Sequence, residues 1–205
     1  IENDVNVSAI TENIFFKRNG IKNAVVLEIS RGVGSGIIIN NQLFKGRHGT
    51  SGEIGNLIIG RENLRFKIKN KGFLEKYSSA ESLKKQAIKG INKGKKTKLV
   101  DIANSDLGLI DSEIICNAAN DGDRFSKELI SKMVDFLSIA ILDLILIVDP
   151  EIIILGGDIC ILPFADKLFL NPIIKNIDYS LPFKTPVIKF SELGTDAGSI
   201  GASLM

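Results

Sequence analysis

Ala24-Val-Val-Leu-Glu-Ile29, Gly32-Val-Gly-Ser-Gly36, Ile37-Ile-Ile39, Asn40-Asn41 and Gln42-Leu-Phe44 follow one another almost without a break. Residues 24–29 read as a strand and 36–39 as a second, because β-branched and aliphatic side chains suit a pleated, buried surface. Asn40-Asn41 reads as a tight hairpin turn, since Asn tolerates positive φ, and Leu43-Phe44 begins a third strand. Upstream, Val5, Ala9, Ile10, Ile14 and Phe15 recur at helical spacing over residues 4–16, with Asp4 placed as the cap and Asn19-Gly20 as the stop.

Downstream the chain turns helical. Residues 78–88 open with Ser-Ser-Ala-Glu, a capping-box pattern, and the Lys-rich stretch at 93–98 reads as a solvated loop. Residues 124–148 read as one long helix whose apolar face is Leu129, Met133, Phe136, Leu137, Ala140, Ile141 and Leu144, stopped by Asp149-Pro150. Ile152-Ile-Ile-Leu155 is a short buried strand running into Gly156-Gly157. A helix over 163–177, a strand over 187–190 and a closing helix after Thr195 complete the order. Helix, three antiparallel strands, several helices, then strand, helix, strand, helix predicts an α/β lobe with helices packed on a mixed β-sheet. No repeat, low-complexity tract or linker divides residues 1–205, so one domain is expected.

Composition narrows the function classes. A 205-residue chain with 44% hydrophobic and 24% charged residues is not disordered, and a formal charge of +2 does not fit a protein that coats nucleic acid. Two cysteines, Cys116 and Cys160, and one histidine, His48, make neither a disulfide framework nor a multi-His metal site. The apolar stretch over 133–155 is broken by Asp135, Asp143 and Asp149-Pro150, well short of the roughly 18 uncharged residues of a membrane span. No signal peptide opens the sequence, so a cytoplasmic location is expected.

Five places carry residues suited to chemistry. Gly32-Val-Gly-Ser-Gly36 sits where one strand returns into the next; it is either a tight turn or a backbone nest for an anion. In Gly46-Arg-His-Gly-Thr-Ser-Gly-Glu53-Ile-Gly55-Asn56, several glycines surround one acid, as in a loop that aims Glu53 into a cleft. Gly72-Phe-Leu-Glu75 places another acid near a helix start, where the dipole alone would favour it. Glu2-Asn3-Asp4-Val5-Asn6 is either a helix cap or a polar site. Gly156-Gly157 follows a buried strand, and ligands of α/β sheets bind near strand carboxyl ends.

Together and in this order the motifs resemble the ROK family (repressors, open reading frames and sugar kinases). Asn3-Asp4-Val5-Asn6 is similar to its Asn-Asp-Ala-Asn motif and Gly32-Val-Gly-Ser-Gly-Ile-Ile-Ile to its phosphate loop. Gly52-Glu-Ile-Gly55 resembles Gly-Glu-Ile-Gly-His, and Gly72-Phe-Leu-Glu75 resembles Gly-Cys-Leu-Glu. The runs at 149–157 and 191–202 resemble its C-terminal signatures. The resemblance covers essentially the whole chain and implies an actin-like ATPase (ribonuclease H-like) fold, with sugar and ATP in a cleft between two lobes. The family's first phosphate loop, Asp-x-Gly-Gly-Thr, has no match here. The chain is therefore expected to be the C-terminal lobe, with the first lobe and any winged helix–turn–helix lying outside it.

The resemblance implies that Asp4 corresponds to the base that takes the sugar's proton in the kinases, and that Asn3, Glu53 and Glu75 correspond to residues holding its hydroxyls. Asn56 joins that sugar-binding set, and Gly32, Gly34, Gly36, Gly156 and Gly157 correspond to nucleotide-binding positions. The family's zinc ligands are replaced: Asn56 stands for the His, and Phe66, Ile68 and Phe73 for the three Cys. One amide and three apolar side chains cannot hold tetrahedral zinc, so no metal is expected, with packing of the two Phe and the Ile holding the loop instead. The kinases' Gly-Thr-Gly-x-Gly is Ser30-Arg31-Gly32-Val33-Gly34 here. The Thr hydroxyl is lost and Arg31 adds bulk and charge, or clamps an anion.

The missing Gly-Thr pair, and the loop over 37–46, are similar to those of xylose-repressor-like members. The expectation is a sugar-sensing effector domain of a transcriptional repressor, a homodimer that contacts DNA only through another domain. The alternative is an ATP-dependent sugar kinase with Asp4 as base and ATP and magnesium as its cofactors. A scaffold that only dimerises is the third possibility.

Overall fold

The computed structural model describes residues 3–59 and 73–204. Its centre is a five-stranded sheet in the order β3-β2-β1-β4-β5, with β1 Ala24–Ile29, β2 Val33–Ile39, β3 Gln42–Leu43, β4 Ile152–Gly156 and β5 Val187–Phe190. β1, β2 and β3 pair antiparallel, while β4 and β5 run parallel to β1, so the sheet is mixed as expected. Asn40 and Asn41 have φ of 51° and 63°, the doubly left-handed turn that suits the twist of a two-residue hairpin. β2 starts earlier than the aliphatic run indicated. The glycine stretch itself pairs with β1, down to Ile29 opposite Val33.

Strand alternation divides the core in two. Val25, Leu27, Ile29, Ile153 and Leu155 face the larger cluster, and Ala24, Val26, Ile152 and Ile154 face the smaller one. The larger cluster is built with helices α3 Ala80–Asn92, α5 Ser112–Asn120, α6 Arg124–Val148 and α7 Asn171–Ser180, together with the short turn α4 Leu99–Ile102 and with Leu74, just ahead of the turn α2 Glu75–Ser78. Helix α1, Asp4–Arg18, covers the other face and packs against α8, Ala197–Leu204. α1 can lie close because β2 carries glycine beneath it: a Cβ on Gly36 would come within 2.3 Å of the Ala9 Cβ.

α6 spans the residues its periodicity predicts. Asp123 caps it and is buried, accepting from the Ser126 amide and hydroxyl and from Thr97 and Lys98. Asp149 ends it with φ of 48°.

Three local expectations need correction. Asn3, not Asp4, has the extended backbone of the N-cap and accepts from Val5 N at 3.0 Å; Asp4 is the first helical residue. The cap of α3 is Ser79, which accepts from Ser82 N at 3.1 Å, because Ser78 still belongs to α2. The helix over 163–177 instead begins as a π-helical turn, Asp166–Leu170, that passes into α7 and ends at Ser180. Phe164, with φ of 58°, delays its start, and Pro182 keeps the residue before it out of the helix. Among the described residues no helix is long and apolar enough to cross a membrane.

Candidate functional site

A cleft of about 400 Å³ opens at the carboxyl ends of β1 and β4, bounded by the start of α1, the glycine turns and the start of α8. It gathers residues from distant parts of the chain: Asn3 and Asp4, Gly32 and Gly34, Glu53, Glu75 and Gly157 all line it. Gly36, Gly156 and Asn56 lie outside the lining. Gly36 is under α1, Gly156 is the last residue of β4, and Asn56 closes a half-buried 3-10 turn.

The polar groups are fixed by their backbones. The Asn3 amide reaches towards Glu53 at 3.4 Å while its oxygen caps α1, so one residue serves the helix and faces the cleft. Glu53 is held by glycines on both sides. Gly52 has φ of 87°, and Ser35 donates to its carbonyl from both its amide, at 2.8 Å, and its hydroxyl, at 3.0 Å. A Cβ on Gly55 would come within 2.4 Å of the Val33 carbonyl. The Gly-Glu-Ile-Gly loop thus lies backbone-to-backbone on β2, which only glycine permits. Glu75 opens α2, and its Oε2 accepts from Val33 N at 3.4 Å.

Residues that sequence reasoning did not select complete the cleft: Ser8, Glu28, Ser30, Asp158 and Thr195. Glu28 ends the α1-facing row of β1. Burial pushes its carboxyl up to about 7; a hydrogen bond from Ser8 opposes the shift, and the charges of Asp4, Glu12 and Asp158 add to it. One signal was available, namely a lone acid in an otherwise aliphatic strand. Behind it, Glu12 is buried on α1 and accepts from the Ser191 hydroxyl; burial raises its pKa as well. Ser30 accepts from Asp158 N at 2.9 Å, tying the end of β1 to the turn after β4.

The lining holds five carboxylates and, among the described residues, no Lys or Arg. Arg31 is exposed and outside it, so the anion clamp considered for Arg31 is not part of this cleft. Such a surface offers hydrogen-bond acceptors, which suits a ligand rich in hydroxyls.

A model of the ROK family matches residues 1–205. The chain belongs to the ROK family. It is 30% identical over 206 residues to a glucokinase of Thermotoga maritima, covering 99% of this chain and 64% of that protein. It is 28% identical over 208 residues to a xylose repressor of Caldicellulosiruptor bescii, covering 100% of this chain and 51% of that protein. A ROK glucokinase from Streptomyces griseus, solved with glucose and AMPPNP, superposes with a TM-score of 0.84 at 26% identity, over 98% of this chain and 66% of that one. The chain thus spans between half and two thirds of these ROK proteins, and it has the actin-like ATPase fold. Kinases and repressors are matched at similar identity, so membership alone does not choose between them.

The metal question turns on donors. Phe73 is buried and packs against Tyr77, with ring centroids 4.9 Å apart, and edge-on against Phe136 at 6.0 Å. Phe66 and Ile68 lie outside the described residues, and so does their expected packing. His48 is exposed on its loop. Cys116 and Cys160 are free, with thiols pushed up to about 12 by burial. Among the described residues no group of three His, Cys, Asp or Glu could hold a metal ion. Asn56 and Phe73 do not fit a zinc ion.

Proposed function

We propose that this chain is the sugar-sensing effector lobe of a ROK transcriptional repressor resembling the xylose repressor. The sugar binds against Asn3, Asp4, Glu53 and Glu75 and alters DNA binding by a domain elsewhere in the protein. The observation that carries this reading is the character of the cleft: acceptors held in place by backbone glycines, with no Lys or Arg among the described residues that line it to receive a phosphate. A switch needs a ligand that favours one of two states, and a site shared with a first lobe provides for that. We further propose a zinc-free, cytoplasmic homodimer. Calorimetric titration of the full-length protein with xylose, glucose and N-acetylhexosamines tests the reading, together with operator binding at saturating sugar. Sugar binding that leaves operator affinity unchanged would count against it.

One observation favours the kinase alternative. Asp4 is exposed at the cleft beside Asn3, where a carboxylate can take a proton from a bound hydroxyl. In that reading ATP and magnesium are the cofactors, and the glycine turns that line the cleft, at Gly32, Gly34 and Gly157, face the phosphates. Sugar-dependent ADP release by the full-length protein, abolished by Asp4→Asn, would establish it.

A further inference from the structure

Glu28 stands in register with Gly34 of β2 and Gly156 of β4. Partners in register present their side chains to one face of a sheet, so Glu28 projects between two positions that have none. A Cβ on Gly156 would come within 2.9 Å of Glu28 Oε1, and one on Gly157 within 2.9 Å of Glu28 Oε2. The carboxylate therefore occupies the space in front of the glycine turn after β4. Across the cleft, Glu75 Oε2 accepts from Val33 N and would lie 3.0 Å from a Cβ on Gly32. Both glycine-lined walls already have the protein's own carboxylate against them.

Backbone nests attract anions through exposed N–H groups, and a like charge held at the same point opposes that attraction most where water is displaced. We infer that Glu28 sets the ligand specificity of the cleft. Its carboxylate keeps phosphate groups from the Gly157 wall and leaves the site to neutral ligands that donate hydrogen bonds. This deepens the sugar-sensing reading and rests on it. The groups facing Glu28 are Asp4, Ser8 and Glu12 on α1 and Asp158 after β4, with Glu53 and Glu75 across the cleft and Lys189 and Glu192 acting on Glu12. Burial brings Glu28 to about 7, so its charge changes between pH 6 and pH 8.

The probe is inorganic tripolyphosphate, titrated calorimetrically into the full-length protein in the presence of a chelator. Glu28→Gln and Glu28→Ser are each expected to bind it at least tenfold more tightly than wild type at pH 8. That ratio is expected to shrink at pH 6, where wild-type Glu28 is largely protonated; titration of the probe cancels in the ratio. Equal affinities at pH 8, or no measurable binding by wild type and variants alike, overturns the assignment. Xylose and glucose are titrated in parallel. Failure of both to bind removes the sugar reading, while the tripolyphosphate ratio still decides the role of Glu28.

Discussion

The carbonyl oxygen of Ser35 lies 1.9 Å from where a Cβ on Gly52 would be, and the Ser35 amide donates to the Gly52 carbonyl at 2.8 Å. This contact sets the position of Glu53, the next residue, which lines the cleft. Gly52→Ala meets both a positive φ of 87° and a backbone clash. The expected cost is about 2–4 kcal/mol, with sugar affinity falling by more than tenfold as Glu53 moves. Thermal unfolding and titration of the variant check this; a Gly52→Ala protein with wild-type stability would show that the loop is not held this way.

Glu28 links the cleft to stability. Its folded pKa, about 7, is above the unfolded value, so the native state binds more protons between the two. Stability is therefore expected to be highest at low pH with respect to this group and to fall as pH rises from about 4.5 to about 7. Glu28→Gln removes that dependence. The variant should be more stable than wild type at pH 8, by roughly 1–3 kcal/mol, with the gain vanishing near pH 5. Chemical denaturation at the two pH values measures the difference.

Asp123 shows the opposite sign. Burial opposes its charge, but the amides of Lys98 and Ser126 and the hydroxyls of Ser126 and Thr97 outweigh burial and hold it below the usual range. Its contribution is present above the unfolded Asp value of about 4 and is lost as pH falls through the folded one. Asp123→Ala uncaps α6 and strands those donors, at an expected cost of about 2–4 kcal/mol. Asp123→Asn retains part of the cap and should lose less.

What the sequence made legible follows from the range of each signal. The long helix α6 and the hairpin turn at Asn40-Asn41 are local, set by periodicity and by a residue that accepts positive φ. The N-cap is ambiguous in sequence because Asn3 and Asp4 both carry oxygens that reach Val5 N. The turn at 166–170 is not legible because its backbone departs from the 3.6-residue period, and the left-handed Phe164 has no compositional mark. In the cleft, acids flanked by glycine were visible. Glu28 stands out in the sequence only as a lone acid in an aliphatic strand; its meaning comes from register, because Gly34 and Gly156 reach it only once the sheet is assembled. Gly36 belongs by sequence to the phosphate-loop motif, whereas its place beneath Ala9 is set by the packing of α1.

The central claim is that the cleft at Asn3, Asp4, Glu53 and Glu75 holds a sugar. Calorimetric titration of the full-length protein with xylose, glucose and N-acetylglucosamine, in wild type and Glu75→Gln side by side, tests it most directly. The account predicts saturable one-site binding of at least one of these sugars by wild type, weakened at least tenfold in the variant. No binding of any of the three, or identical affinity in the two proteins, would contradict it.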